Sequence, residues 1–320
     1  MDSKDIPWKI SSLGQLSVLM EVSSPKPGNV NRLRRFSDTG YRHFLASATL
    51  FSKGLYKAAQ KGVELAGKED NFSTLKIGKL IYESTHDILT GLNRRNTILG
   101  TILLHIPIAM AAGFVIAENN IFHIDSFQIA IKDLIDSTTV EDTIEVYRGF
   151  QLTAVNEQRS EDWSQLHHRY DISNPNVLDN IRQDHISLLD IFRISSTVDS
   201  ISKEWSSYFS LTLNESLPYL RDNSSGLDDL EEAIVRTFIW LLARYPDGLI
   251  IKKAGEKKAN EIMYFARDIL AIYENSRSPI TKLMELDALL REEGNILNPG
   301  STADLISAAI FCRLLELQFG

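Results

Sequence analysis

The sequence predicts an all-α protein built as a single compact multi-helix domain with a central buried apolar helix, and three observations carry that expectation. Apolar residues recur at helical spacing along almost the whole chain. No run of six residues alternates apolar and polar with β-branched enrichment, and Leu249–Ile251 is the one short strand candidate. Glycine and proline, 17 and 9 of 320 residues, fall below average usage, which argues against turn-rich β architectures and long linkers. With 43% hydrophobic residues and only mild shifts in composition, residues 1–320 are expected to share one core.

Taken in order, Leu13, Leu16 and Met20 mark the first helical stripe, and Phe44, Leu45, Ala48, Phe51 and Leu55 a second. The same periodicity predicts helices over 76–91, 98–118, 125–136, 140–155 and 177–194. Beyond these come 198–217, 227–244, 254–274, 278–292 and 301–317. The turn Tyr245-Pro246-Asp247-Gly248 ends one of them. Segments 156–176 and 221–229 read as polar loops, and no self-similar period of a solenoid is visible. Residues 96–117 form 22 consecutive positions without a formal charge, long enough for a membrane span. His105, Pro107 and the lack of a second such segment favour a buried central helix instead.

The net charge of −8 is uneven: residues 1–60 hold nine Lys/Arg against four Asp/Glu. An acidic chain with a local basic patch fits a small anionic ligand better than nucleic acid. No signal peptide is visible in MDSKDIPWKI, and Cys312 is the one cysteine, so a reducing, cytoplasmic setting is expected. A broad apolar surface is compatible with a homodimer, although nothing specifies a seam.

Three polar islands could carry chemistry. In Ser23–Arg32 two prolines flank Lys26 and Gly28 permits a sharp turn, which predicts a rigid loop displaying a lysine, backed by Arg32, Arg34 and Arg35. Such a loop, beside the N-terminus of a helix starting near Thr39, suits phosphates; a solvated basic face is the plainer reading. Asn93-Arg94-Arg95-Asn96-Thr97, then Gly100, precedes the apolar helix and reads either as a cap or as an anion site. Asn298-Pro299-Gly300-Ser301-Thr302-Ala303-Asp304 is a turn followed by a capped helix start, or a phosphate loop with an acid. His86-Asp87, with His43, His105, Asp184-His185 and Asp190, would be the raw material of a metal-dependent phosphohydrolase, whereas His167-His168 has no ligand spacing.

Four segments in order resemble one family: EVSSPKPGNVNR with FSDTGYRHFLASA, NTILGTILLHIPIA, YPDGLIIKKAG and LREEGNILNPGSTADLISAAIF. They resemble the ATP:dephospho-CoA triphosphoribosyltransferases, also called triphosphoribosyl-dephospho-CoA synthases, and most of all their archaeal branch. The resemblance implies ATP and 3′-dephospho-CoA as substrates. The 2′-hydroxyl of the acceptor's ribose attacks C1 of ATP's ribose and adenine leaves. The product is the precursor of the prosthetic group on carrier proteins of citrate lyase or malonate decarboxylase.

Carried over residue by residue, the resemblance implies nucleotide or phosphate contacts at Lys26, Gly28, Arg32, Asn96, Thr97, Lys253, Gly300 and Ser301. It places Asp304 and Asp247 as candidates for the base, and Asp304 with Asp38 as candidates for ligands of a Mg²⁺ that accompanies ATP. Asn31 stands where the family has an acid, Ile98 where it has a second Asn, and Gly248 where it has a Thr. The family's G-G-L-G is absent after Tyr147-Arg148. The departures keep two alternatives in play, a Mg²⁺-dependent nucleotide phosphohydrolase and a non-catalytic nucleotide- or CoA-binding protein.

Overall fold

The computed structural model describes residues 5–68, 72–92, 95, 97–153, 168–275 and 278–320. Among these there is no strand, and the helices are α1 (Ile6–Ser23), α2 (Tyr41–Leu65), α3 (Ile77–Thr90), α4 (Leu99–Asn119), α5 (Ile124–Asp136) and α6 (Val140–Thr153). They continue with α7 (Val177–Gln183), α8 (Leu188–Ser195), α9 (Ser200–Ser206), α10 (Leu217–Asp222) and α11 (Leu230–Arg244). The last four are α12 (Gly248–Ala254), α13 (Glu256–Glu274), α14 (Ile280–Arg291) and α15 (Gly300–Phe319).

The uncharged run is α4, the axis of the bundle. By composition it is long and apolar enough to cross a membrane, yet 83% of its most apolar 18-residue window is buried inside the protein. α1, α2, α3, α5 and α15 pack around it. α2 lies unusually close, because Gly62 and Gly113 remove the side chains that would collide: a Cβ on Gly113 would stand 2.2 Å from the carbonyl oxygen of Ala59. Pro107 sits inside α4 and cannot donate to the carbonyl of Leu103. The indole of buried Trp205 donates to that carbonyl instead, at 3.1 Å, so the break in the ladder carries no orphaned acceptor.

Two of the expected helices are broken. Residues 177–194 split at Asp184–Ser187, where His185 is left-handed at φ 54° and Ser187 opens α8 with a capping box closed by Asp190. Residues 198–217 split at Tyr208 and Phe209, both left-handed, followed by a π-helical turn over Thr212–Ser216. Leu249–Ile251 is helical, because Asp247 accepts hydrogen bonds from Leu249 and Ile250 and starts α12 there. Residues 154–167, which hold most of one expected polar loop and His167, lie outside the described residues.

Candidate functional site

The four segments, whose contacting residues stand up to 269 positions apart in sequence, meet around the first turn of α15. Thr101 at the start of α4 donates from Oγ1 to Asp304 Oδ1, and Gly100 lies against the same carboxylate, where a Cβ would fall 2.1 Å from Oδ2. Asp247 Oδ2 accepts from the Thr302 amide at 2.7 Å and its hydroxyl at 2.8 Å. Oδ1 accepts from the amides of Leu249 at 2.9 Å and Ile250 at 3.1 Å. One buried carboxylate thus caps two helices, α12 and α15. Asn29 Nδ2 donates to Asn298 Oδ1 at 2.9 Å, which brings the proline loop to the same place.

That loop is strapped to α14. The Gly28 amide donates to Asp287 Oδ1 at 2.8 Å, and Arg291 donates to the Asn29 carbonyl at 2.6 Å. Gly28 is left-handed at φ 69° and its Cα faces Leu290, so both the backbone and the space require glycine. Asn31 Oδ1 accepts from the amides of Leu33 and Arg34, while its Nδ2 donates to the Asn29 carbonyl at 3.3 Å.

Electrostatics separate the acids. Asp304 is half-buried, and its pKa is pushed up to about 8 by burial first, with the nearby negative charges of Glu21 and Asp247 adding to it. Burial also raises Asp247, but four donors oppose that shift. Glu21 is raised by burial against the counter-effect of Lys26, whose ammonium lies 2.9 Å from Oε1.

The chain from residue 7 to 320 matches the family described as CitG: ATP:dephospho-CoA triphosphoribosyl transferase. The chain belongs to that family. A provisionally named triphosphoribosyl-dephospho-CoA synthase from Archaeoglobus fulgidus shares the fold, with a TM-score of 0.60 at 21% identity, over 85% of this chain and 98% of that one. No curated protein sequence matches. Membership makes this chain a transferase of the triphosphoribosyl class.

For a triphosphoribosyl transferase the placement of the expected residues is uneven. Lys26 is not displayed: its side chain is 0% exposed and it is bonded to the carbonyls of Glu21 and Ser24 and paired with Glu21. Two prolines turn the loop inward, and the buried carboxylate of Glu21 draws the ammonium with it. Arg32 is on the outside in a bidentate pair with Glu231, and Lys253 is exposed, donating to the Asn295 carbonyl at 3.3 Å. Thr97 shares a 2.6 Å hydrogen bond with Ser47, Gly300 and Ser301 open α15, and Asn96 lies outside the described residues.

Asp38 is exposed and its carbonyl accepts from Arg95. Among the described residues no three His, Cys, Asp or Glu are grouped to hold an ion. The histidine expectation fails for that reason. His105 is core, held neutral by burial that lowers its pKa to about 3, between Ser17 and Ser307 and stacked on Phe311. Asp87 beside His86 is paired with Lys53 on the surface.

Glu21 and Thr101 are site residues that the motif reading passed over. Glu21 was legible as an acid on the apolar face of α1, between buried Val18 and Val22. Two departures from the family pattern also have local reasons. A side chain at Gly248 would meet Ser200 Oγ at 2.8 Å, and Ile98 is 3% exposed in the core.

Proposed function

We infer that this chain transfers the triphosphoribosyl group of ATP to the ribose 2′-hydroxyl of 3′-dephospho-CoA or a close relative, releasing adenine, and that Asp304 is the base. The observation that carries the reading is the meeting of all four family segments around the first turn of α15, where Thr101 and Gly100 lie against Asp304 and Asp247 ties in Thr302. A base titrating near neutrality is suited to taking a proton from a hydroxyl as it attacks. Glu21 and Asp247 raise the electron-rich character of that corner, which favours positive charge developing on the sugar as adenine departs. Asp247 serves as a positioning residue, because both of its oxygens are committed to helix ends. Ser301, in the first turn of α15, supplies a donor for phosphate oxygens. Magnesium enters only as the counter-ion that ATP brings with it.

Incubation of the purified protein with Mg²⁺, ATP and 3′-dephospho-CoA tests this directly by chromatography. Adenine together with an acceptor adduct supports the transfer. Phosphate released without acceptor would point to a phosphohydrolase, and thermal stabilisation by ATP without turnover to a binding protein.

A further inference from the structure

A cleft of about 460 Å³ lies between α11 and α13, lined by Arg244, Tyr245, Arg267, Leu270, Ala271 and Glu274 among others. Four of these stand on one face of α13, at i, i+3, i+4 and i+7 from Arg267. Over that span of roughly 10 Å, the wall changes from cation to apolar to carboxylate.

The cationic end is built rather than incidental. Arg267 Nε donates to the Ala243 carbonyl at 2.8 Å, and its guanidinium lies 5.1 Å from the centre of the Tyr264 ring. The Arg244 guanidinium lies 4.5 Å over Trp240, and Lys203 approaches the Tyr245 ring at 5.2 Å from α9. Arg221, Arg291 and Arg313 are all paired with acids. Lys203, Arg244 and Arg267 have no carboxylate partner among the described residues. The Tyr245 hydroxyl donates to Glu215 at 2.7 Å, so the carboxylate there is engaged with the tyrosine, and the two guanidiniums that line the cleft, Arg244 and Arg267, are left to attract an anion from outside.

Position links the cleft to the site. Tyr245, at one end of the cleft, is two residues before Asp247, and two residues span at most about 7 Å.

We propose that this cleft holds the phosphopantetheine arm of a dephospho-CoA-type acceptor. The diphosphate lies between Arg244 and Arg267, the branched aliphatic part runs along Leu270 and Ala271, and an amide N–H of the arm donates to Glu274. ATP's triphosphate has no group for the apolar stretch and is repelled by Glu274. The assignment rests on the transferase reading for the identity of the acceptor; the order of chemistries along α13 selects the arm.

The test is calorimetric titration of the full chain with 4′-phosphopantetheine, using inorganic pyrophosphate as the comparator without an arm. Phosphopantetheine is expected to bind and to compete with 3′-dephospho-CoA, with pyrophosphate at least tenfold weaker. Arg267→Gln should weaken both, by roughly tenfold, and Glu274→Gln phosphopantetheine alone. In turnover, Arg244→Gln and Arg267→Gln should raise KM for the acceptor roughly tenfold and leave KM for ATP unchanged. Equal affinity for pyrophosphate, phosphopantetheine binding indifferent to Arg267→Gln, or a KM change that falls on ATP would each overturn the assignment. If phosphopantetheine binds as described while no adenine forms, the cleft assignment stands and the transferase reading fails. Adenine formed with an unaltered acceptor KM in both variants gives the opposite result.

Discussion

Asp247 and Asp304 occupy adjoining regions of one corner, and both carboxyls are raised by burial. Asp247 receives four hydrogen bonds and ties two helix starts together. Asp304 receives its side-chain hydrogen bond from Thr101 alone and feels two like charges. The comparison separates two uses of a buried acid. Where donors are plentiful, the charge is spent on holding backbone. Where they are scarce, the carboxyl keeps a raised proton affinity that suits chemistry.

The largest expected effect is on turnover. Asp304→Asn should lower kcat for adenine release by about 10²–10⁴ while leaving the denaturation midpoint no lower than in the unaltered chain. A midpoint that falls with activity would place Asp304 with Asp247 among the structural acids. Conversely, Asp247→Ala should cost about 2–4 kcal/mol in urea unfolding, as two helix caps are lost together. A stable Asp247→Ala chain that has lost all turnover would reverse the two roles.

pH sharpens the contrast further. The folded-state pKa of Asp304 lies above its unfolded value, so the unfolded chain releases that proton first as pH rises. Stability from this group is therefore highest below its unfolded pKa of about 4. It declines toward about pH 8, where the folded carboxyl also ionises. The stability advantage of Asp304→Asn over the unaltered chain should grow from pH 4 to pH 8 and then level off. kcat/KM of the unaltered chain should rise through the same upper value, as the base loses its proton. The smallest effect belongs to Thr302→Val, which removes one of the four donors to Asp247 and should cost about 1 kcal/mol in the same unfolding experiment.

Much of the helical framework was legible because burial demands a repeating apolar face, and that demand is written locally. The expected 98–118 and 301–317 appear as Leu99–Asn119 and Gly300–Phe319. The breaks were legible in part. Ser187-Leu188-Leu189-Asp190 is a capping-box pattern, and Asp199 caps α9 through the Ser202 amide at 2.7 Å. The left-handed pair Tyr208 and Phe209 carries no glycine or asparagine to announce it. At the site, Asp304 and Thr302 could be picked out as an acid and a cap from a Pro-Gly turn. That Lys26 turns inward could not, because its partner Glu21 is fixed by α1 rather than by the loop.

Residue order and periodicity alone set the fold class, the central apolar helix, the four segments and the family they resemble. Only the tertiary structure decided which acid caps and which remains reactive. It also decided that Lys26 is buried with Glu21, and that Arg244 and Arg267 flank one cleft. Those outcomes depend on desolvation and on donors delivered by helices far apart in the chain, and neither quantity exists until the helices have packed.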